Sequence, residues 1–438
     1  TDQALNRLTT GRPGPVNLDV PLDLFMEESD EFSAASSKAT TFSEVRPARD
    51  AVHAAAEVLA SAERPLIVVG TGYTAADESL LLELGLVLGC HIATTPDGKG
   101  AVAENNPRSI GSLGRNGSGA ANAAGRQADV VLALNVHFDD RASSAWLEGA
   151  TFAFERGRLL HVHENPDEFG RGYEPHLGIV ASPRAFVEDL VAVLSAVDRG
   201  DWFGRVSRWA DRWREMGEAE LSKMSEGVLH PVAAVRAIRN ALTDDTILVS
   251  DVGVHHNWLI QRWETQRPRT FLHSWGFGAM GFGVAGVIGA HLGAPDSPAV
   301  AVCGDGGFLM SAHVVATAVQ GGIPAVWVVW DNHGFASIRD LQMAFFGGQE
   351  YATSFNAASG DGFVRFDFAA LARSMGAAGV TVGSADELEH ALTAAVSSRL
   401  PTVIHVTVER DEHPVSTGAW LLPPLEPSWP SLMLEDES

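Results

Sequence analysis

From about residue 50 onward the chain alternates two hydrophobic periods. "PLIVVG", "VVLALNV" and "LLHVH" are short continuous apolar runs, the pattern of strands covered on both faces. Between and around them, "AVHAAAEVLASA", "ESLLLELGLVLG" and "PRAFVEDLVAVLSAV" repeat apolar residues at three- and four-residue spacing, as amphipathic helices do. This alternation predicts an α/β unit over residues 50–195. Residues 196–228, rich in Trp and charge, read as connecting helices. A further α/β unit starts at "HPVAAVRAIRNAL", spans 229–424 and carries "TILVSDVG", "GFGAMGFGVAGVIGAHLGA", "AVAVC", "AVWVVW", "FAALARSMGA" and "TVIHVTV". The expected fold class is therefore α/β, with two doubly wound parallel sheets. Residues 1–25 read as a helix end, a Gly-Arg-Pro-Gly-Pro turn and a strand, "VNLDV", stopped by Pro21. One helix end and one strand cannot bury a core, so this segment is expected to be the remnant of a third domain. A Ser/Thr/Glu-rich linker follows over 26–49, and 425–438 form an acidic tail.

Composition narrows the partners. The chain has 438 residues and a net charge of −24, which argues against a nucleic-acid groove or an anionic membrane surface. No apolar run reaches the length of a membrane span. Two cysteines, Cys90 and Cys303, rule out a disulfide scaffold and suit a reducing cytoplasm. With so few cations, a bound phosphate is expected to rest on backbone N–H groups, helix ends or a metal.

The stretch "CGDGGFLMSAHVVATAVQGGIPAVWVVWDN" reads as strand, turn, helix and strand, one parallel crossover. Both polar clusters then lie at the carboxyl ends of neighbouring strands, where open α/β sheets bind ligands. Gly304, Asp305 and Gly306 taken alone suit a tight turn equally well. Asp305 before a helix start, however, opposes anion binding unless a cation sits between them. Magnesium accepts such hard oxygen donors: the Asp305 carboxylate, the Asn332 amide and a backbone carbonyl near Gly334.

This Gly-Asp-Gly … Asn spacing resembles the magnesium–diphosphate signature of thiamine diphosphate enzymes. "SDVGVHHNW", "SWGFGAMGFGVAGVIGA", "TTPDGKGAVAENNPRSIGSLGRNGS", "NVHFDDR" and "GRPGPVNLDVPLDLF" resemble the acetolactate synthase branch, in its order and over nearly the whole chain. The resemblance implies that the C-terminal unit binds thiamine diphosphate, with Gly253 and His255 near the diphosphate and the N–H groups of Gly306 and Gly307 donating to it; a structural role for His255 stays open. Met280 would wedge between the cofactor rings, although Met in such a place also serves as core filler. The Gly278 carbonyl would accept a bond from the cofactor's amino group. The family's activating glutamate belongs to the pyrimidine-binding domain, and none of Glu27, Glu28 or Glu44 takes its place. The chain is thus expected to work as one component of a split enzyme, with a second polypeptide supplying that glutamate in an α2β2 assembly; truncation of a longer chain is the other account.

On the substrate side the resemblance places Ser337, Ile338 and Leu341 at the reacting centre. Leu341 stands for a usual Trp, Trp275 for a Gly and Val254 for a Gln, departures that imply a different acceptor. In the central unit, Gly70 and Gly72 after a strand and Asp139, Asp140 and Arg141 match an FAD-binding pattern, while His137 and His163 depart from it; FAD is a candidate second cofactor. The leading expectation is a carboligase acting on a 2-oxo acid such as pyruvate. A decarboxylase or 2-hydroxyacyl-CoA lyase of the same family is the alternative, and a non-catalytic scaffold or regulatory subunit the alternative of another class.

Overall fold

The computed structural model describes residues 2–9, 14–28, 44–221 and 228–419. Two six-stranded sheets organise it, and every strand pair in both is parallel. The first contains β1 (Pro65–Val69), β2 (Ile92–Thr94), β3 (Ser109–Ser112), β4 (Val130–Leu134), β5 (Arg158–His163) and β6 (Leu177–Val180), in the order β3-β2-β1-β4-β5-β6. The second contains β7 (Ile247–Ser250), β8 (Phe271–His273), β9 (Ala299–Gly304), β10 (Val326–Asp331), β11 (Ala378–Val382) and β12 (Thr402–Thr407), in the order β11-β12-β10-β9-β7-β8. The expected doubly wound architecture is what the chain adopts.

Each sheet has a core on both faces, which is why its strands read as unbroken apolar runs. In the second sheet, Leu248, Val300, Val302, Val328 and Ile404 face one helical layer, and Val249, Ala301, Cys303, Trp327 and Val403 face the other. Trp327 is fully buried and donates its indole N–H to the Val284 carbonyl at 2.8 Å, so the ring brings no unpaired polar atom into the core. In the first sheet, Ile67, Leu132 and Leu160 lie on one side and Leu66, Val131 and Leu159 on the other. The helix Gly200–Leu221 packs Trp202, Trp209 and Trp213 into that second core.

The N-terminal segment departs from expectation. Residues 2–9 are helical, but "VNLDV" is not a strand: Val16, Leu18 and Val20 are exposed, and no ladder partner adjoins them among the described residues. A β-prone segment without a sheet edge gains nothing from extension beyond its intrinsic preference. Most of the expected linker, the 222–227 part of the connecting region and the tail lie outside the described residues. No helix among the described residues is long and apolar enough to cross a membrane.

Candidate functional site

The second sheet reverses its strand order between β7 and β9, and the carboxyl ends of β7, β9 and β10 converge there. Register pairs Trp330 with Gly304, so Asp305 and Asp331 leave the sheet side by side. The helix Asp305–Ser311 begins at Asp305 itself, with Gly304 as its N-cap. This is earlier than the sequence suggested, and it puts the N–H groups of Gly306 and Gly307 in the first turn, where they lack intrahelical partners.

Asp305 is 1% exposed. Its Oδ1 accepts the Gly306 N–H at 2.7 Å and its Oδ2 accepts the Gly334 N–H at 2.9 Å. The second bond fastens the end of β9 to the loop after β10 and brings Asp305, Asn332 and Gly334 together. Asn332 is 7% exposed, and its side-chain amide makes no hydrogen bond to a described residue. Burial and the adjoining Asp331 push the Asp305 carboxyl up to about 8. Burial is the largest single influence on Asp331 and raises it, but the bonds from His405 Nε2 (2.9 Å from Oδ2), Asp305 and the His333 N–H together outweigh burial and hold Asp331 below the ordinary carboxylate value. Two carboxyls thus share one buried pocket, and a cation beside Asp305 would hold it ionised.

Glycines shape the floor. A Cβ on Gly307 would lie 2.3 Å from Asp251 Oδ2, one on Gly306 2.4 Å from Phe335 Cε1, and one on Gly334 2.2 Å from the Thr353 carbonyl oxygen. His255 packs into a cradle of Gly253 and Gly304, whose added Cβ atoms would stand 2.8 and 3.4 Å from its Cε1. Burial lowers its pKa, so the ring is neutral. Its Nε2 is buried with no hydrogen-bond partner, a polar atom that only an incoming ligand would satisfy. No three of His, Cys, Asp and Glu gather as a metal cluster among the described residues. A cation here would rest on one carboxylate with amide and carbonyl oxygens, the donor set that suits magnesium. The residues present therefore fit a magnesium-bound diphosphate.

Asp251, at the end of β7, escaped the sequence reading. It is fully buried and accepts the N–H groups of Gly281 and Gly283 at 3.0 and 3.2 Å. It thereby pins the loop that carries Gly278 and Met280 before the helix Phe282–Gly293. Its position, a strand-end Asp with a glycine two residues on in "SDVG", parallels that of Asp305 and was a usable signal. Gly278 and Gly281 have φ of +65° and +89°, conformations that favour glycine. Met280 is 39% exposed, so it is not core filler; Phe277 beside it is 96% exposed.

Ser337, Ile338 and Leu341 lie on the helix Ala336–Phe345, which leaves directly from the Gly334 loop; Ile338 is exposed and the other two are half-buried. Val254 is buried at the start of the helix Val254–Arg262. Trp275 also engages residues of the first unit. Its indole N–H donates to Asp139 Oδ2, and the Arg141 guanidinium lies 5.4 Å from its ring centroid. Residues from two separately read sites therefore meet between the two units. Asp140 is exposed, 3.9 Å from Arg115.

In the first sheet, the order reverses between β1 and β4. There a Cβ on Gly70 would lie 2.0 Å from the Asn135 carbonyl oxygen, so close chain packing by itself explains this glycine. Gly72 has φ of +90° beside the Asn135 amide. His163 Nδ1 accepts the Asn165 N–H at 2.9 Å, which commits that acceptor to the backbone. His137 Nδ1 lies 3.1 Å from Glu168 Oε2.

Comparison with known proteins agrees with this geometry. The pattern of the thiamine pyrophosphate enzyme central domain matches residues 52–190, and that of the C-terminal TPP binding domain matches residues 251–406. The chain is 32% identical over 419 residues to the acetolactate synthase large subunit of Parasynechococcus marenigrum, covering 94% of this chain and 65% of that protein. It is 28% identical over 422 residues to the probable acetolactate synthase large subunit of Methanococcus aeolicus, covering 91% and 68%. With the acetolactate synthase isozyme 2 large subunit of Escherichia coli it shares 28% over 418 residues, covering 94% and 71%. The chain spans about two thirds of the length of these relatives. Its two sheets, the carboxylate at the tip of β9 and these matches together identify the central and C-terminal domains of the thiamine pyrophosphate enzymes.

Proposed function

We propose that this chain is the large component of a two-chain thiamine diphosphate-dependent carboligase, similar to acetolactate synthase, which decarboxylates a 2-oxo acid such as pyruvate and joins the acyl unit to an acceptor. The observation that carries this reading is the bond from Gly334 to Asp305, which gathers a buried carboxylate, the Asn332 amide and the first turn of a helix at one point. Asp305, Asn332 and the Gly334 carbonyl would hold magnesium. The N–H groups of Gly306 and Gly307, the Gly253 backbone and His255 would hold the diphosphate. Thiamine diphosphate, when bound, supplies the carbanion-stabilising chemistry that the protein itself lacks. Met280 and Gly278 would fix the cofactor's shape, and Asp251 positions their loop. Ser337, Ile338, Leu341 and Trp275 would bound the acceptor's space.

A rim of apolar side chains borders this site: Phe277, Met280, Phe282, Leu309 and Met310 are all exposed. Such a patch favours a covering partner, and a second polypeptide with a pyrimidine-binding domain and its activating glutamate is the partner this reading requires, two copies of each assembling together. The buried free thiols Cys90 and Cys303 suit the cytoplasm. FAD in the central unit is part of the same proposal.

Calorimetry with thiamine diphosphate, with and without Mg²⁺, tests the site; saturable, magnesium-dependent binding is expected and its absence overturns the reading. Product analysis with pyruvate, with and without an aldehyde, is then run on the chain alone and with a separately supplied pyrimidine-binding chain. Turnover only in the mixture supports the two-chain assembly, and full turnover alone refutes it. A visible spectrum of the purified protein without a flavin band refutes the FAD element.

A further inference from the structure

A cavity of about 390 Å³ opens between the two sheets' units, walled by β3, the helix Gly200–Leu221, the helix Pro231–Ala241 and the end of the helix Val254–Arg262. It shares no residue with the strand-end site. In a chain of net charge −24, its wall carries five basic side chains against three carboxylates. Each of the five is also paired with a carboxylate, Glu104, Asp211, Glu218, Asp244 or Glu220, so what the wall offers an anion is unpaired donors rather than a net positive field.

Two of its donors lack partners. The Arg262 side chain is 7% exposed and its guanidinium lies 4.1 Å from the Trp213 ring centroid. Its Nη2 donates to both Glu220 oxygens at 2.8 and 2.9 Å, which leaves Nε buried without an acceptor. Trp263, next in sequence, is 2% exposed, and its indole N–H is also buried without an acceptor. The Arg239 guanidinium lies 4.7 Å from the Trp263 ring centroid and holds the indole in place. Buried donors left unpaired are costly, and two of them on residues of one cavity wall mark where an acceptor belongs. The remaining basic groups are engaged: Lys99 Nζ bonds both Glu104 oxygens at 2.7 Å, and Arg236 pairs with Glu218. The lining also includes the apolar side chains of Ile110, Val232 and Val235.

We propose that this cavity binds a small organic anion, a carboxylate with an aliphatic body. The carboxylate accepts from Arg262 Nε and Trp263 Nε1, and the body lies against Ile110, Val232 and Val235. Arginine suits carboxylate recognition because its planar donors match the two oxygens.

The test titrates the full chain with acetate, butyrate and hexanoate, and separately with inorganic phosphate, by calorimetry and by tryptophan fluorescence. Saturable binding that tightens from acetate to hexanoate is expected, with phosphate weaker. Trp263→Phe keeps the ring and removes the donor, and Arg262→Gln removes the charge; each weakens hexanoate by about tenfold, with circular dichroism and thiamine diphosphate binding unchanged. No saturable binding, equal binding of phosphate, or undiminished binding by a folded Trp263→Phe variant overturns the proposal.

Discussion

The Trp275 indole N–H donates to Oδ2 of Asp139 at 2.5 Å, joining the loop after β8 to the loop after β4. The same carboxylate accepts the N–H groups of Arg141 and Ala142 through Oδ1, at 2.9 and 2.8 Å. A hydrogen bond to a charged acceptor contributes roughly 1.5–3 kcal/mol. Trp275→Phe, which keeps the ring, is therefore expected to lower unfolding stability by about 2 kcal/mol, measured by urea denaturation.

Asp305 gives the metal site a pH dependence. Its folded pKa, pushed up to about 8, lies above the ordinary carboxylate value. In the metal-free protein the folded state holds a proton that the unfolded state has released, so this group's contribution is fully present at low pH and is lost as pH rises toward about 8. A metal competes for that proton. Mg²⁺ affinity, measured by titration in the presence of thiamine diphosphate, is expected to fall by up to about tenfold for each pH unit below 8. Asp305→Asn removes both this dependence and most of the binding.

Gly307→Ala tests the link between the helix start and the Met280 loop. The new methyl would meet Asp251 Oδ2 and dislodge the acceptor of the Gly281 and Gly283 N–H groups. A loss of about 1–3 kcal/mol in thermal or chemical unfolding is expected, together with a larger loss of cofactor affinity in calorimetry.

Histidines whose imidazoles are kept neutral by the fold contribute to the acid limit of stability; besides His255 and His256, which burial lowers, three more do so. Burial, aided by Arg108, lowers His91 to about 3; burial lowers His161 to about 4; burial and then Lys99 lower His273 to about 4. The unfolded chain takes up protons that the folded one refuses, so stability is complete above about pH 6.5 and falls as pH drops toward 4. Unfolding stability from urea denaturation across this range should fall with pH, each such histidine contributing up to about 1.4 kcal/mol per pH unit, partly offset by Asp305, whose raised carboxyl acts in the opposite direction. His91→Gln should flatten it by about 1.4 kcal/mol per unit.

The long elements and the strand-end carboxylate were legible in the sequence because their signals are local. "AVWVVW" is apolar at every position since both faces of β10 are covered, and Asp305 stands between glycines at a strand end. Short elements were not. Ile92–Thr94, Phe271–His273 and "SIGS" are too brief to show a period, and they become strands by pairing with longer neighbours. The reverse holds for "VNLDV", which has the composition of a strand and joins no sheet edge among the described residues. The meeting of Trp275 with Asp139, 136 positions apart, was invisible for another reason: it depends on how two separately folded sheets are docked.

That docking relies on residues far along the chain. After β12 the polypeptide turns back: Gln261 exchanges two hydrogen bonds with the Val415 backbone, Asn122 donates to the Thr417 carbonyl, and the Thr417 hydroxyl donates to Gly117. Residues 415–417 thus act as a clasp on a unit translated some three hundred codons earlier. During biosynthesis the first sheet leaves the ribosome long before its fastening does, and until then the early unit must stay soluble with its docking face bare.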